Sequence, residues 1–344
     1  MEIFESSKKI LVITYNLGFS FIWWINCIKS GICSCTVYIC NFLISMEVFL
    51  KKNLINIDGI LCNEISDLET KKVTEFYKET PFPNYKEDDD KYSILKKGNK
   101  NFLASQFKNF IGHKKNVLEL GCGTGQLSIY FSIGTNNNIV GLDPTIDSLK
   151  LAKNFSDKNN ITNINFINAD VFDDVLKDEF FDFIWCNGVL HHTKDPYTAF
   201  EILVKSLKKN GYILIGLYNK IGRFRTILRR YVYKLFGKKA LNIIDPTLRN
   251  LKFDEDEKNA WIRDQYIHPL ESLHSIDEVL KWFKKNNISF VSSIPSSDFD
   301  YDYKNIFERK SEGTFFSRIF NQILMIFNSF GSDGGLFVLL GKKE

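Results

Sequence analysis

Val117-Leu118-Glu119-Leu120-Gly121-Cys122-Gly123-Thr124-Gly125-Gln126 is the stretch that decides the fold. A short apolar strand runs into three glycines at alternate positions, and a helical run follows from Gln126 to Ser132. Glycine at 121, 123 and 125 permits a tight turn and lets a ligand approach backbone that a Cβ would hold off. The N-terminus of the next helix then offers free N–H groups to that ligand. A dinucleotide fingerprint, G-x-G-x-x-G, places its third glycine at position 126, where this chain has glutamine. Glu119 is an acid inside the strand, which a purely structural turn does not require; a carboxylate there can sit beneath a cationic ligand group.

Outward from this turn, strands and helices alternate. Strands are predicted at Asn138 to Leu142, Ile164 to Ile167, Phe181 to Cys186 and Tyr212 to Leu217, with helices from Thr145 to about Phe155 and from Asp195 to Leu207. Repeated strand-helix units imply a parallel sheet with helices on both faces. Near the C-terminus a helix at Ile276 to Lys285 opens on Ser275 with Glu278 three residues on, the pattern of a capping box. Strands at Ile288 to Val291 and Leu336 to Leu340 bring the total to about seven.

The spacing of acids along these strands carries the next step. Val140-Gly141-Leu142-Asp143 ends the second strand on an acid, Asn168-Ala169-Asp170-Val171 ends the third, and the fourth leads into Cys186-Asn187-Gly188-Val189-Leu190-His191-His192. With Leu207-Lys208-Lys209-Asn210-Gly211-Tyr212 at the fifth strand, these ordered motifs resemble the class I S-adenosylmethionine (SAM) dependent methyltransferases, whose first motif reads E/D-x-G-x-G-x-G. The resemblance is firm from Val117 to Leu217 and weaker beyond. It implies an α/β, Rossmann-like, seven-stranded, mostly parallel sheet with the last strand antiparallel and helical cap insertions. It implies SAM as cofactor, with Glu119, Gly121, Cys122, Gly123, Thr124, Gly125 and Gln126 around the methionyl part. Asp143, followed by Pro144, would bind the ribose hydroxyls, a task suited to a bidentate acceptor. Ala169, Asp170 and Val171 would meet the adenine, and Asn187 and Gly188 would close the fourth-strand side. For the structural alternative, an acid after a strand is a common helix cap.

Methyl transfer from a sulfonium is an in-line displacement, so the protein chiefly aligns the partners and sets the acceptor's protonation. His191 and His192 are candidates for a general base because imidazole titrates near neutrality, and Tyr218 is a candidate at the end of the fifth strand. Trp261, His268 and His274 are candidate pocket residues. Structural capping and packing are the competing readings of each. The fourth strand lacks both the N/D-P-P-aromatic motif of base amino-methyltransferases and a Pro-Cys pair. The acceptor expected is a small molecule, or a lipid-linked or glycan-type metabolite. The alternatives are a nicotinamide-dependent oxidoreductase of similar fold and a non-catalytic SAM-binding protein.

The rest of the chain sets the frame. A hydrophobic share of 44% with 31 phenylalanines argues for a folded body, and a net charge of +4 gives no reason to expect nucleic acid as a partner. The seven cysteines show no zinc-type pairing, so no metal is expected and reduced thiols in a cytoplasmic setting are. Residues 1–45 form an apolar segment: a membrane anchor or hairpin, a buried helical extension, or sequence upstream of a true start at Met46. Residues 46–113 read as a helical extension whose Pro81-Phe82-Pro83 cluster is either a plug against the core or a lid. The methyltransferase domain runs over 114–344, with an insertion at about 219–274 and a helical segment at about 296–332. Within the insertion, Arg223 to Phe236 places Phe224, Ile227, Leu228, Tyr231 and Leu235 at helical spacing with Arg225, Arg229, Arg230 and Lys234 elsewhere. The expectation is a helix packed through its apolar side with a solvated cationic face. The sharper alternatives are membrane contact, through residues 10–50 or through this basic helix, 223–236, and contact of the helix with a phosphorylated substrate.

Overall fold

The computed structural model describes residues 9–15, 19–25, 48–79, 81, 83–249, 255–327 and 335–344. The chain divides into two compact units, Met1–Val48 and Phe49–Glu344. In the first, β1 (Lys9–Tyr15) and β2 (Phe19–Ile25) pair antiparallel, where a helix is one expectation. The remainder of 1–45, with Cys27, Cys33, Cys35 and Cys40, lies outside the described residues. Among the described residues no helix is long and apolar enough to cross a membrane.

The second unit is a single sheet flanked by helices. Its elements are β3 (Ile55–Ile57), β4 (Ile60–Cys62), α1 (Leu68–Glu79), α2 (Lys91–Lys100), α3 (Phe102–Ile111), β5 (Asn116–Leu120), α4 (Gln126–Ser132), β6 (Asn138–Asp143), α5 (Ile146–Lys158), β7 (Ile164–Asn168), β8 (Phe181–Asn187), α6 (Pro196–Ser206), β9 (Leu207–Tyr218), α7 (Phe224–Ile244), α8 (Glu255–Ile262), α9 (Ile276–Lys285), β10 (Ile288–Ile294), α10 (Phe315–Phe327) and β11 (Leu336–Lys343). The strand order is β10-β11-β9-β8-β5-β6-β7-β4-β3. Strands β5 to β9 run parallel, and β11 lies antiparallel between β9 and β10, as the α/β reading expects.

The sheet has nine strands, not seven. The two extra ones are β3 and β4, joined by Asp58 and Gly59, which both take positive φ (52° and 81°). That is the backbone of a two-residue hairpin turn, for which Asp-Gly is a favoured pair. β4 pairs parallel with β7 and extends the sheet. The 46–113 extension is therefore part helix and part sheet edge.

Side chains alternate across the sheet. On one face, Phe183 and Trp185 of β8 meet Phe107 of α3, whose ring lies 5.1 Å from Trp185 and 5.5 Å from Phe131. On α6 and α9, Phe200 stacks on Phe283 at 5.7 Å. Helix starts follow capping chemistry: Asp195 accepts from the Thr198 amide ahead of Pro196, and Ser275 accepts from the Glu278 amide. The capping box at Ser275 is one-sided, however, because the Glu278 carboxylate is engaged by His274 Nδ1 at 2.9 Å and by Lys220 at 3.1 Å. Cys62, Cys122 and Cys186 are free and buried.

The helix expected at 223–236 runs on to Ile244, broken at Gly237 (φ 71°), and it sits the other way round from expectation. Arg223 is buried, and Arg229 and Arg230 turn inward to Asp245 and Glu271. Phe224, Leu228, Tyr231 and Leu235 face solvent. The acids beneath the helix, not its apolar residues, set its orientation.

Because Phe107 is fully buried against four aromatic rings, Phe107→Ala is expected to cost about 3–5 kcal/mol. Urea unfolding should show the midpoint falling with little change in slope.

Candidate functional site

At the carboxyl edge of β5, β6, β7, β8 and β9 lies a cavity of about 400 Å³, where open α/β sheets bind ligands. The glycine loop after β5 is held by the end of β6. The Leu142 carbonyl accepts from the amides of Gly121 at 2.7 Å and Cys122 at 3.3 Å. The Asp143 carboxylate accepts from the Gly123 amide through one oxygen and from the Thr145 amide through the other, each at 2.8 Å. Gly121 takes φ 67°, and a Cβ there would stand 2.4 Å from a Val189 methyl, so only glycine leaves both the turn and the cavity open.

Most residues expected around the cofactor converge here. Glu119, Gly121, Cys122, Gly123 and Gln126 line the cavity from the first loop, and Asp143 and Pro144 from the second strand. Asp170 and Val171 line it from the third, and Asn187 and Gly188 from the fourth. Three do not reach the wall. Thr124 is turned to the extension, donating to the Pro83 carbonyl while its own carbonyl accepts from Tyr85 at 2.7 Å. Gly125 faces Ala152 and Phe166 in the core, and Ala169 is fully buried. Gln126 bridges outward, donating to the carbonyls of Pro83 and Asn84, so the proline segment is fastened over the glycine loop.

Of the three candidate catalytic residues, His192 and Tyr218 line the cavity and His191 does not. His191 lies behind Tyr218, ring centroids 4.0 Å apart, fully buried with neither ring nitrogen hydrogen-bonded among the described residues. His192 Nδ1 lies 2.6 Å from the Leu270 carbonyl; since a carbonyl only accepts, Nδ1 carries the proton and Nε2 is left with its lone pair. His268 stacks on His192 at 3.6 Å, whereas His274 points to Glu278 and Ser272. Trp261 reaches the cavity wall.

Tyr77, Asp264 and Gln265 were not among the expected site residues, yet they line the cavity together with Tyr218. Tyr77 on α1 donates to Asp264 at 3.0 Å. Gln265 donates from Nε2 to the Asp264 carboxylate at 2.8 Å and to the Tyr218 hydroxyl at 3.0 Å, and its Oε1 accepts from Arg223 at 2.5 Å. The Arg223 guanidinium lies 3.5 Å over the Tyr218 ring and pairs with Glu271 at 2.7 Å. Tyr77 and Asp264 are 187 positions apart, a separation that no local pattern bridges.

Burial dominates the electrostatics. It raises the Glu119 carboxyl to about 8 against the Ser128 hydrogen bonds, with Asp143 repulsion adding to the rise. It raises Asp143 against its two backbone donors. It lowers His192 to about 4, so the ring is neutral at physiological pH, and it pushes the Tyr77 and Tyr218 hydroxyls up. Among the described residues no group of three or more His, Cys, Asp or Glu could hold a metal.

Residues 111–293, a little over half the chain, match the family model described as a methyltransferase domain. An uncharacterised protein of Synechococcus is 24% identical over 51% of this chain and 47% of its own length. Phosphoethanolamine N-methyltransferase 1 of Zea mays is 27% identical over 54% of this chain and 36% of its own length. A ubiquinone biosynthesis O-methyltransferase of Pasteurella multocida is 28% identical over 52% and 69%. The chain thus spans half or less of the first two relatives.

The raised carboxyl at Glu119 makes stability depend on pH. The folded state holds this proton more tightly than the unfolded one, so the group's contribution is complete below about 4.5 and is lost as pH climbs through about 8. Glu119→Gln, which is always neutral, should melt progressively higher than the wild type between pH 5 and 8. A parallel pair of melting curves would show that Glu119 ionises freely.

Proposed function

The chain belongs to the class I SAM-dependent methyltransferases, and from that premise we propose that it methylates a small-molecule or lipid-linked acceptor held at the Tyr77-Asp264-Gln265-Tyr218 end of the cavity. Bound SAM supplies a methyl group on a sulfonium, open to any nucleophile aligned with it. In the proposed assignment Asp143 receives the ribose, since each of its oxygens keeps a lone pair after accepting one N–H. Asp170 sits at the adenine end and already accepts from Phe172 and Thr70. Asn187, whose side-chain oxygen is buried without a partner among the described residues, faces the remaining polar edge. Glu119 lies beneath the cationic methionyl group. A cation there would lower its raised pKa and restore the carboxylate.

The observation that carries the acceptor reading is a single cavity whose wall holds both the glycine loop with Asp143 and the group Tyr77, Trp261, Asp264, Gln265, Tyr218 and His192. Aromatic walls with a few convergent polar groups are the ordinary make-up of a small-molecule site. Asp264 is hydrogen-bonded on both oxygens and held in one orientation, ready to accept from a hydroxyl or an amine. His192 Nε2 can take the proton that such an acceptor releases. The relatives named for phosphoethanolamine and for ubiquinone biosynthesis are in keeping with acceptors that combine a polar head with, in the second case, an apolar body.

Transfer of a labelled methyl group from SAM into fractionated extracts tests this reading. A labelled product in a small-molecule or lipid fraction is expected. Asp264→Asn and Tyr77→Phe should each raise the acceptor KM roughly tenfold with SAM affinity unchanged. Unchanged acceptor kinetics in both variants would remove the cluster from the acceptor's site. If His192 is the base, the acidic limb of kcat lies near pH 4, because the rate falls only when Nε2 is protonated. A limb near 6.5 would exclude it.

A further inference from the structure

Two adjoining helices are built inside out. On α10 the buried side chains are polar except for Met325: Ser317 donates to the Ser297 carbonyl at 2.9 Å, Asn321 to the Asp298 carbonyl at 2.7 Å, and Gln322 accepts from Asn219 at 2.7 Å. Its exposed residues are apolar, with Phe316 82% exposed and Phe320, Ile323 and Phe327 also facing solvent. α7 repeats the arrangement. Up to its break at Gly237, Arg229 and Arg230 are directed at Asp245 and Glu271, while Tyr231, Phe236 and Leu235, the last 75% exposed, lie outside; beyond the break Leu241 is buried. The helices meet where Arg225 at the start of α7 donates to the Ile326 carbonyl near the end of α10 at 3.3 Å.

A water-facing helix ordinarily shows the opposite pattern, and a run of exposed phenylalanines marks an interaction surface. Its charge narrows the partner. Neither helix contains an acidic residue, and exposed Lys234 and Lys239 stand among the apolar side chains of α7. Apolar residues interspersed with cations and free of acids complement a surface that is apolar within and anionic at its rim. We propose that this face docks on an anionic lipid bilayer, with the phenylalanines at the headgroup-acyl boundary and the lysines among the headgroups. The polar inner faces fix the orientation. Arg223, immediately before α7, is stacked on the cavity residue Tyr218, so the docking element and the cavity wall share one segment. The inference stands independently of the acceptor's identity.

Sedimentation of the full chain with vesicles of phosphatidylcholine alone, and of phosphatidylcholine mixed with phosphatidylglycerol, tests it. Two variants accompany the wild type: Phe316→Ser/Phe320→Ser and Lys234→Glu/Lys239→Glu. All four side chains are exposed, and an unchanged melting temperature confirms each fold. The wild type should sediment with the anionic vesicles and be released by salt. The phenylalanine variant should bind at least roughly tenfold more weakly, and the lysine variant should lose the preference for phosphatidylglycerol. A wild type that ignores vesicles, or variants that bind as it does, would overturn the proposal. So would a concentration-dependent dimer that the same phenylalanine substitutions dissolve, which would assign the face to a second copy of the chain.

Discussion

The grip of β6 on the glycine loop is the contact on which the site depends. Three consecutive amides, at Gly121, Cys122 and Gly123, are tied to the last two residues of one strand, Leu142 and Asp143. The loop therefore keeps its open form through fixed hydrogen bonds, and the two strands whose ends face the cavity cannot drift apart. Asp143 is central because its carboxylate is buried and already half engaged by backbone. A buried carboxylate is costly unless hydrogen-bonded, and these two donors reduce that cost while leaving a lone pair on each oxygen for a ligand.

A second buried charge organises the opposite wall. Arg223 is fully enclosed, bonded to Gln265 and Glu271 and stacked on Tyr218. Removing one partner of such a pair strands the other charge, so the segment from Tyr218 through α7 is held in register with the π-helical turn that carries Asp264 and Gln265. That turn reaches Tyr77 on α1, and the proline segment after α1 is fastened to Thr124 and Gln126 of the glycine loop. The 219–274 segment, the 49–113 segment and the carboxyl edge of the sheet thus form one continuous wall. The same charges drawn inward from α7 leave its apolar residues outside, so the exposed face is a consequence of how the wall is anchored.

Where physical signals are local, the sequence discloses the structure. The strand-helix alternation, the glycine turn, the acid ending β6 and the one just after β7 depend on neighbours within a few residues, and they lie where periodicity and spacing put them. β3 and β4 escaped that reading because three-residue strands are too short for an alternation to register, although Asp58-Gly59 between Ile57 and Ile60 was a usable sign. For α7 the spacing correctly grouped Phe224, Leu228, Tyr231 and Leu235 on one side. It could not reveal which side is buried, because that was decided by Glu271 and Asp245, supplied from other parts of the insertion. Tyr77 and Asp264 were hidden for the same reason: their pairing exists only once the sheet has brought α1 against the insertion.

The claim that the β5 loop and Asp143 hold SAM is tested most directly by calorimetric titration of the full chain with SAM and, separately, with NAD, alongside Asp143→Ala. The account predicts saturable SAM binding, weakened in the variant by roughly ten- to a hundredfold for the loss of hydrogen bonds to a charged acceptor, and no heat with NAD. A folded protein that ignores SAM, that takes NAD in its place, or that binds SAM equally well without the Asp143 carboxylate would contradict it.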